Sequence, residues 1–116
     1  MTTEYNTRAR ALIVHLDAEI DHHIASGVRR AVDEAFLNTR ANHIVFDFSR
    51  VQFMDSSGIG LIMGRCRIVE PLGGRVVLAG VSERMDRLMS LSGIYKLVRW
   101  TKTVEEALCM VKEAAI

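Results

Sequence analysis

The chain has 116 residues and a mass of 13.0 kDa, the length of one domain rather than two. Hydrophobic residues at 49% and charged residues at 25% exclude a disordered or fibrous chain. Lys and Arg number 15 against 14 Asp and Glu, so a net charge of +1 excludes an overall field that would draw the protein to nucleic acid or an anionic membrane.

Two cysteines, Cys66 and Cys109, stand far apart with no Cys-x-x-Cys pair, which argues against a disulfide scaffold and a zinc site. The apolar run Ala11 to Val14 is too short for a signal-peptide core, and no segment approaches the roughly 20 apolar residues that span a bilayer. The expectation is a reduced, cytoplasmic, single-domain protein covering 1–116.

In chain order, the polar stretch Thr3 to Arg8 is an edge strand or an arm, and the apolar, β-branched run Ala11 to Leu16 predicts a strand. Asp21 then caps a helix with Ile24, Val28, Ala31, Val32, Ala35 and Phe36 on one face, ending near Asn38-Thr39. His43 to Phe48 predicts a central strand buried on both faces. After a connector through Arg50 to Phe53, a second helix follows Ser56, with Ile59, Ile62, Met63, Cys66 and Val69 inward. Pro71 and Gly73-Gly74 end it in a turn. Arg75 to Gly80 is another strand, and Ser82 caps a helix burying Met85, Leu88 and Met89 up to Gly93. Lys96 to Trp100 predicts a last strand, and Thr103 with Glu106 forms a capping-box pattern before the final helix through Val104, Ala107, Leu108 and Val111. Strands alternating with helices after a first hairpin predict an α/β fold with a mainly parallel sheet of about five strands and about four helices.

Phe53 to Gly60 places an acid, two hydroxyls and two glycines where a loop becomes a helix. Open α/β sheets carry sites at such places, and a helix N-terminus accepts a phosphate at low electrostatic cost. Gly58 and Gly60 leave room for a backbone or a nucleotide to approach. The same residues also fit a plainer reading, in which Asp55 or Ser56 is a helix cap and the glycines ease packing.

Met54-Asp55-Ser56-Ser57-Gly58-Ile59-Gly60 resembles the phosphorylation motif of the bacterial anti-sigma factor antagonists, the small STAS domains. Glu19-Ile20-Asp21-His22-His23 narrows the resemblance to the sporulation branch, whose segment is Glu-Leu-Asp-His-His; His43-Ile44-Val45, Gly64-Arg65, Gly73-Gly74 and Met89 to Gly93 fall in family order. The resemblance covers essentially the whole chain. It implies a regulator rather than an enzyme, with no catalytic residue, cofactor or metal of its own. Such a protein binds an anti-sigma factor that is also a serine kinase, with ADP or ATP on the kinase, and releases the sigma factor. Phosphorylation of Ser56 switches it off, a PP2C-type phosphatase restores it, and Ser57 is a neighbour. Neither direct DNA binding nor membrane contact is implied. The docking face would include Asp21, Asp55, Ser56, Ser57, Gly58, Ile59 and Leu61. Ala18 departs from the family, where glycine often precedes the Glu-(Leu/Ile)-Asp segment.

Other readings fare worse. Asp21-His22-His23 carries the letters of a metal-dependent phosphoesterase family, but adjacent helical histidines point about 100° apart and cannot both reach one metal. A receiver domain would use Asp55 as its phosphoacceptor, yet Asp17 and Glu19 make a poor magnesium pair and Ala79-Gly80-Val81 lacks the lysine. Ser56-Ser57-Gly58 is not the Gly-x-Ser-x-Gly of a serine nucleophile, and no P-loop lysine follows the glycines. A STAS module serving another signalling complex stays open. Arg65 and Arg67 either flank the docking face or are solvated.

Overall fold

A computed structural model describes residues 1–114. The strands are β1 (Thr2–Asn6), β2 (Ala11–His15), β3 (Glu19–Ile20), β4 (His43–Asp47), β5 (Phe53–Met54), β6 (Val76–Ala79) and β7 (Arg99–Thr101). The helices are α1 (His22–Leu37), α2 (Ser56–Val69), α3 (Glu83–Ser92) and α4 (Val104–Ala114). The main sheet has the order β1-β2-β4-β6-β7, with β1 antiparallel to β2 and every other pair parallel. β3 and β5 form a separate parallel pair.

Why β4 is central follows from its residues. Ile44, Val45 and Phe46 are fully buried, because apolar β-branched and aromatic side chains on both faces demand cover on both. One face, with Leu12, Val14, Ile44, Phe46 and Leu78, packs with Val32 and Phe36 of α1, Ile59 and Ile62 of α2, and Met85 and Met89 of α3. On the opposite face Ala11, Ile13, Val45, Val77 and Ala79 take Ala107 and Val111 of α4.

Caps set the helix ends. The Thr103 hydroxyl accepts from the Glu106 N–H at 3.1 Å, while the Glu106 carboxylate accepts from the Lys102 N–H at 3.4 Å, one residue before the reciprocal capping-box partner. Gly93 takes the left-handed backbone (φ 79°) that ends α3. Gly74 is held by proximity instead, since a Cβ there would lie 1.6 Å from the Asn42 carbonyl oxygen.

Several expectations need correction. Lys96 is not in a strand: residues 94–96 form a 3-10 turn, Leu97 closes it, and β7 starts only at Arg99, leaving Trp100 54% exposed on the sheet edge. The connector before α2 contains β5. Met63 faces outward, while Arg65 is buried at 6% exposure rather than solvated. The half-buried carboxylate of Asp33 on α1 accounts for it: Arg65 Nε lies 3.0 Å from Asp33 Oδ1. His43 is also buried, its Nδ1 accepting the Arg75 N–H at 3.0 Å.

At the carboxyl end of the sheet, His15 Nδ1 lies 2.6 Å from Asp47 Oδ2 and Nε2 lies 2.9 Å from Glu4 Oε2, tying β1, β2 and β4 together. The Asp47 hydrogen bond raises the His15 pKa above 6.5, burial opposes this, and Glu4 adds to the rise. A group raised on folding stabilises fully below its unfolded pKa and loses that contribution as pH rises through the folded value. His15→Gln is therefore expected to lower Tm by a few degrees near pH 5.5, with the gap from wild type shrinking toward pH 9; a gap independent of pH in thermal melts would contradict this.

Candidate functional site

Asp55 joins two helix N-termini. Its Oδ1 accepts the Ser57 N–H at 2.8 Å and caps α2, while Oδ2 accepts the His22 N–H at 3.1 Å and holds the first residue of α1. Asp21 caps α1 through Oδ1, which accepts from His23 N–H at 2.9 Å and Ile24 N–H at 3.0 Å. Both aspartates sit in extended backbone, where a short carboxylate reaches the free N–H groups of the following turn. The hydrogen bond from the Ser57 N–H holds the Asp55 carboxyl below the usual carboxylate range; slight desolvation opposes it, and the Ser57 hydroxyl and the His22 N–H assist.

The β3/β5 pair brings these termini together. The Ala18 carbonyl accepts the Gln52 and Phe53 N–H groups at 2.8 and 3.1 Å, and the Ile20 carbonyl accepts the Asp55 N–H at 3.2 Å. Ala18 does this without left-handed backbone, a conformation that Arg10 alone adopts among the described non-glycine residues. The departure from glycine at 18 is thus compatible with the turn.

Ser56 is the first residue of α2 and is exposed. It heads an outward stripe of Ser56, Gly60, Met63 and Arg67, the i, i+4, i+7, i+11 positions of one helix face. Of the residues expected at the docking face, the structure brings Asp21, Asp55, Ser56 and Ser57 together. Gly58, Ile59 and Leu61 are buried and turn into the domain. The room anticipated at Gly58 is filled, since a Cβ there would lie 2.2 Å from Cγ and Sδ of the buried Met54; at Gly60 the space is open.

Beside Ser57 a groove of about 390 Å³ runs between α1 and α2, lined by Ala25, Ser26 and Arg29 on one side and Gly60, Gly64 and Arg65 on the other. Arg29 escaped the sequence reading because one exposed arginine on an amphipathic helix carries no signal. Arg65 was legible as a cation, but its burial depends on Asp33 across the helix pair.

Both carboxylate oxygens of Asp55 accept N–H bonds, so it is committed as a cap rather than presented as a phosphoacceptor. No group of three or more His, Cys, Asp or Glu arranged for a metal occurs among the described residues. No helix among them is long and apolar enough to cross a membrane.

With a sheet of this order, residues 2–107 match the STAS domain model, and the chain belongs to the STAS domain family. Within that family it is similar to the anti-sigma F factor antagonist of Paenibacillus polymyxa, 40% identical over 87 residues, which are 75% of this chain and 74% of that one. The anti-sigma factor antagonist SpoIIAA in its unphosphorylated form superposes with a TM-score of 0.82 at 32% identity, covering 97% of this chain and 96% of that one. The Bacillus cell fate determinant SpoIIAA in its phosphorylated form gives 0.71 at 34% identity over 95% and 97%.

Two predictions follow from this packing. Gly58→Ala should destabilise, because overpacking costs about 1–3 kcal/mol against a helix-propensity gain of at most about 1, whereas Gly60→Ala should gain up to about 1 kcal/mol; urea denaturation of the pair compares them. Asp55→Ala should lower the urea midpoint more than Asp21→Ala, because it uncaps one helix and frees the start of another. Asp55→Asn should recover part of the loss. A carboxyl depressed on folding stabilises at neutral pH and loses that contribution as pH falls through its folded pKa, so the Asn variant should show a weaker acid dependence than wild type.

Proposed function

We propose that this chain is an anti-sigma factor antagonist of the sporulation type, which binds an anti-sigma factor that is also a serine kinase, releases the sigma factor, and is switched off by phosphorylation of Ser56. The observation that carries the reading is Ser56 itself, exposed at the first position of α2 beside Asp21 and Asp55. The similarity to antagonists, and to a relative solved in both phosphorylation states, supports it.

Ser56 needs a base to attack ATP. The carboxylates beside it are Asp55, whose oxygens accept N–H bonds from two helices, and Asp21, which caps α1, so the kinase supplies both base and magnesium. This chain is the substrate, without catalytic residues or a cofactor of its own. ADP or ATP is carried by the kinase, a PP2C-type phosphatase reverses the modification, and the setting is the cytoplasm without contact to DNA or membrane.

A phosphoryl group adds about −1.5 to −2 charge at the start of a helix, where the dipole tolerates it, so the fold persists. The charge beside Asp55 and Asp21 opposes docking instead. Asp21, Asp55, Ser56 and Ser57 form the face, while Gly58, Ile59 and Leu61 seat it on the core.

Incubation with the cognate anti-sigma factor kinase and Mg-ATP tests this. Intact mass should rise by one phosphate, roughly 80 Da, on wild type and not on Ser56→Ala. Ser56→Asp should bind the kinase more weakly; unchanged affinity would remove the electrostatic account.

A further inference from the structure

The α1/α2 groove holds an unbalanced positive charge. Arg65 is 6% exposed, and burying a guanidinium requires a partner with good geometry. Asp33 provides it only in part: Oδ1 stands 3.0 Å from Nε, but the angle misses a hydrogen bond, so both buried atoms lack a hydrogen-bond partner. Nη1 reaches the Leu61 carbonyl at a long 3.4 Å. Arg29, one turn before Asp33 on α1, is close enough to add to the burial that already pushes the Arg65 pKa down, with Asp33 opposing both. Asp33 is the carboxylate paired with Arg65, and Arg29 has no ion pair of its own among the described residues.

The surroundings suit an anion. Besides the two arginines, the groove is lined by His22, Ala25, Ser26, Ser57, Gly60, Leu61 and Gly64, with no carboxylate among them. Gly60 and Gly64 have open space where a Cβ would stand, so a partner's backbone could approach and extend a side chain inward. Guanidinium groups match a carboxylate through two parallel N–H···O bonds, which an ammonium cannot provide.

We propose that this groove is a carboxylate-binding site, filled by an acidic side chain of the anti-sigma factor when that protein docks over Ser56. The proposal rests on the antagonist reading above. It also gives the docking face a source of attraction beside Asp55, whose two carboxylate oxygens both accept helix N–H groups, and Asp21, which caps through Oδ1 alone. Ser57 and Gly60 line the groove, and Ser56 stands one turn before Gly60 on the same face of α2, so a phosphoryl group on Ser56 adds an anion beside the groove. Such a group repels an incoming carboxylate, and the switch becomes a contest between two anions.

The test uses the full chain and has two arms. Inorganic phosphate is titrated while the arginine Nε–Hε signals are followed by NMR, with Arg84 and Arg87 of α3 as exposed controls. Saturable shifts at Arg29 and Arg65 alone are expected, and uniform weak shifts at all arginines would overturn the site. In the second arm the unphosphorylated protein binds the cognate anti-sigma factor with Mg-ADP. Arg29→Glu should weaken binding about tenfold or more with Tm unchanged, and Arg29→Lys should retain part of the affinity. Wild-type affinity in Arg29→Glu would overturn the proposal. Should wild type itself not bind while phosphate still selects Arg29 and Arg65, the antagonist reading and the named occupant fall together, and the groove remains a site for another anion.

Discussion

The carboxylate of Asp55 is the joint on which the functional end of the molecule depends. One oxygen stops α2 from fraying and the other holds the first residue of α1, so two helices that begin 34 residues apart in sequence, at His22 and Ser56, start from one point. The N-terminal partial charges of both helices converge there, and the carboxylate offsets part of each. An exposed serine placed between them is oriented by backbone rather than by its own side chain.

What lies behind this joint is rigid. β4 is dry on both faces, the parallel ladder extends from β2 through β7, and α1, α2 and α3 share one apolar layer. Closeness of packing shows at Gly58 and Gly74, where a single added methyl group would collide with Met54 or with the Asn42 carbonyl. A site mounted on such a scaffold can gain or lose a phosphoryl group without rearranging the sheet. On the proposed reading, the response to modification is carried by charge at the surface.

The fold was largely legible because its signals are local. Apolar runs of β-branched residues marked β2, β4 and β6, while Asp21, Ser82 and Thr103 announced helices that the structure caps as expected. Illegible parts depend on contacts between distant segments. Nothing in Glu19-Ile20 or Phe53-Met54 alone specifies a strand, since each is two residues long and needs the other. Lys96 looked strand-like beside Leu97 and Val98, yet Gly93 opens a 3-10 turn that claims it. At the site, the Met54–Gly60 motif named Ser56 and Asp55 and the Glu19–His23 segment named Asp21, which the structure places at two adjoining helix starts, but the direction of Gly58, Ile59 and Leu61 was set by helical phase against the core. Arg65 was read as a surface charge because its compensating carboxylate belongs to another helix.

The β3/β5 pair has only two rungs, Glu19 with Phe53 and Ile20 with Met54, and the buried members are Ile20 and Met54. Because side chains alternate along a strand, a slip of one residue would bury Phe53 and expel Met54. The same slip would turn the start of α2 by about 100°, one residue's advance around a helix. Ser56 would leave the outward stripe. Met54, buried over Gly58, packs the end of β5 onto the start of α2, so on the proposed reading the two-rung pair and the helix together set the angle at which Ser56 meets a partner.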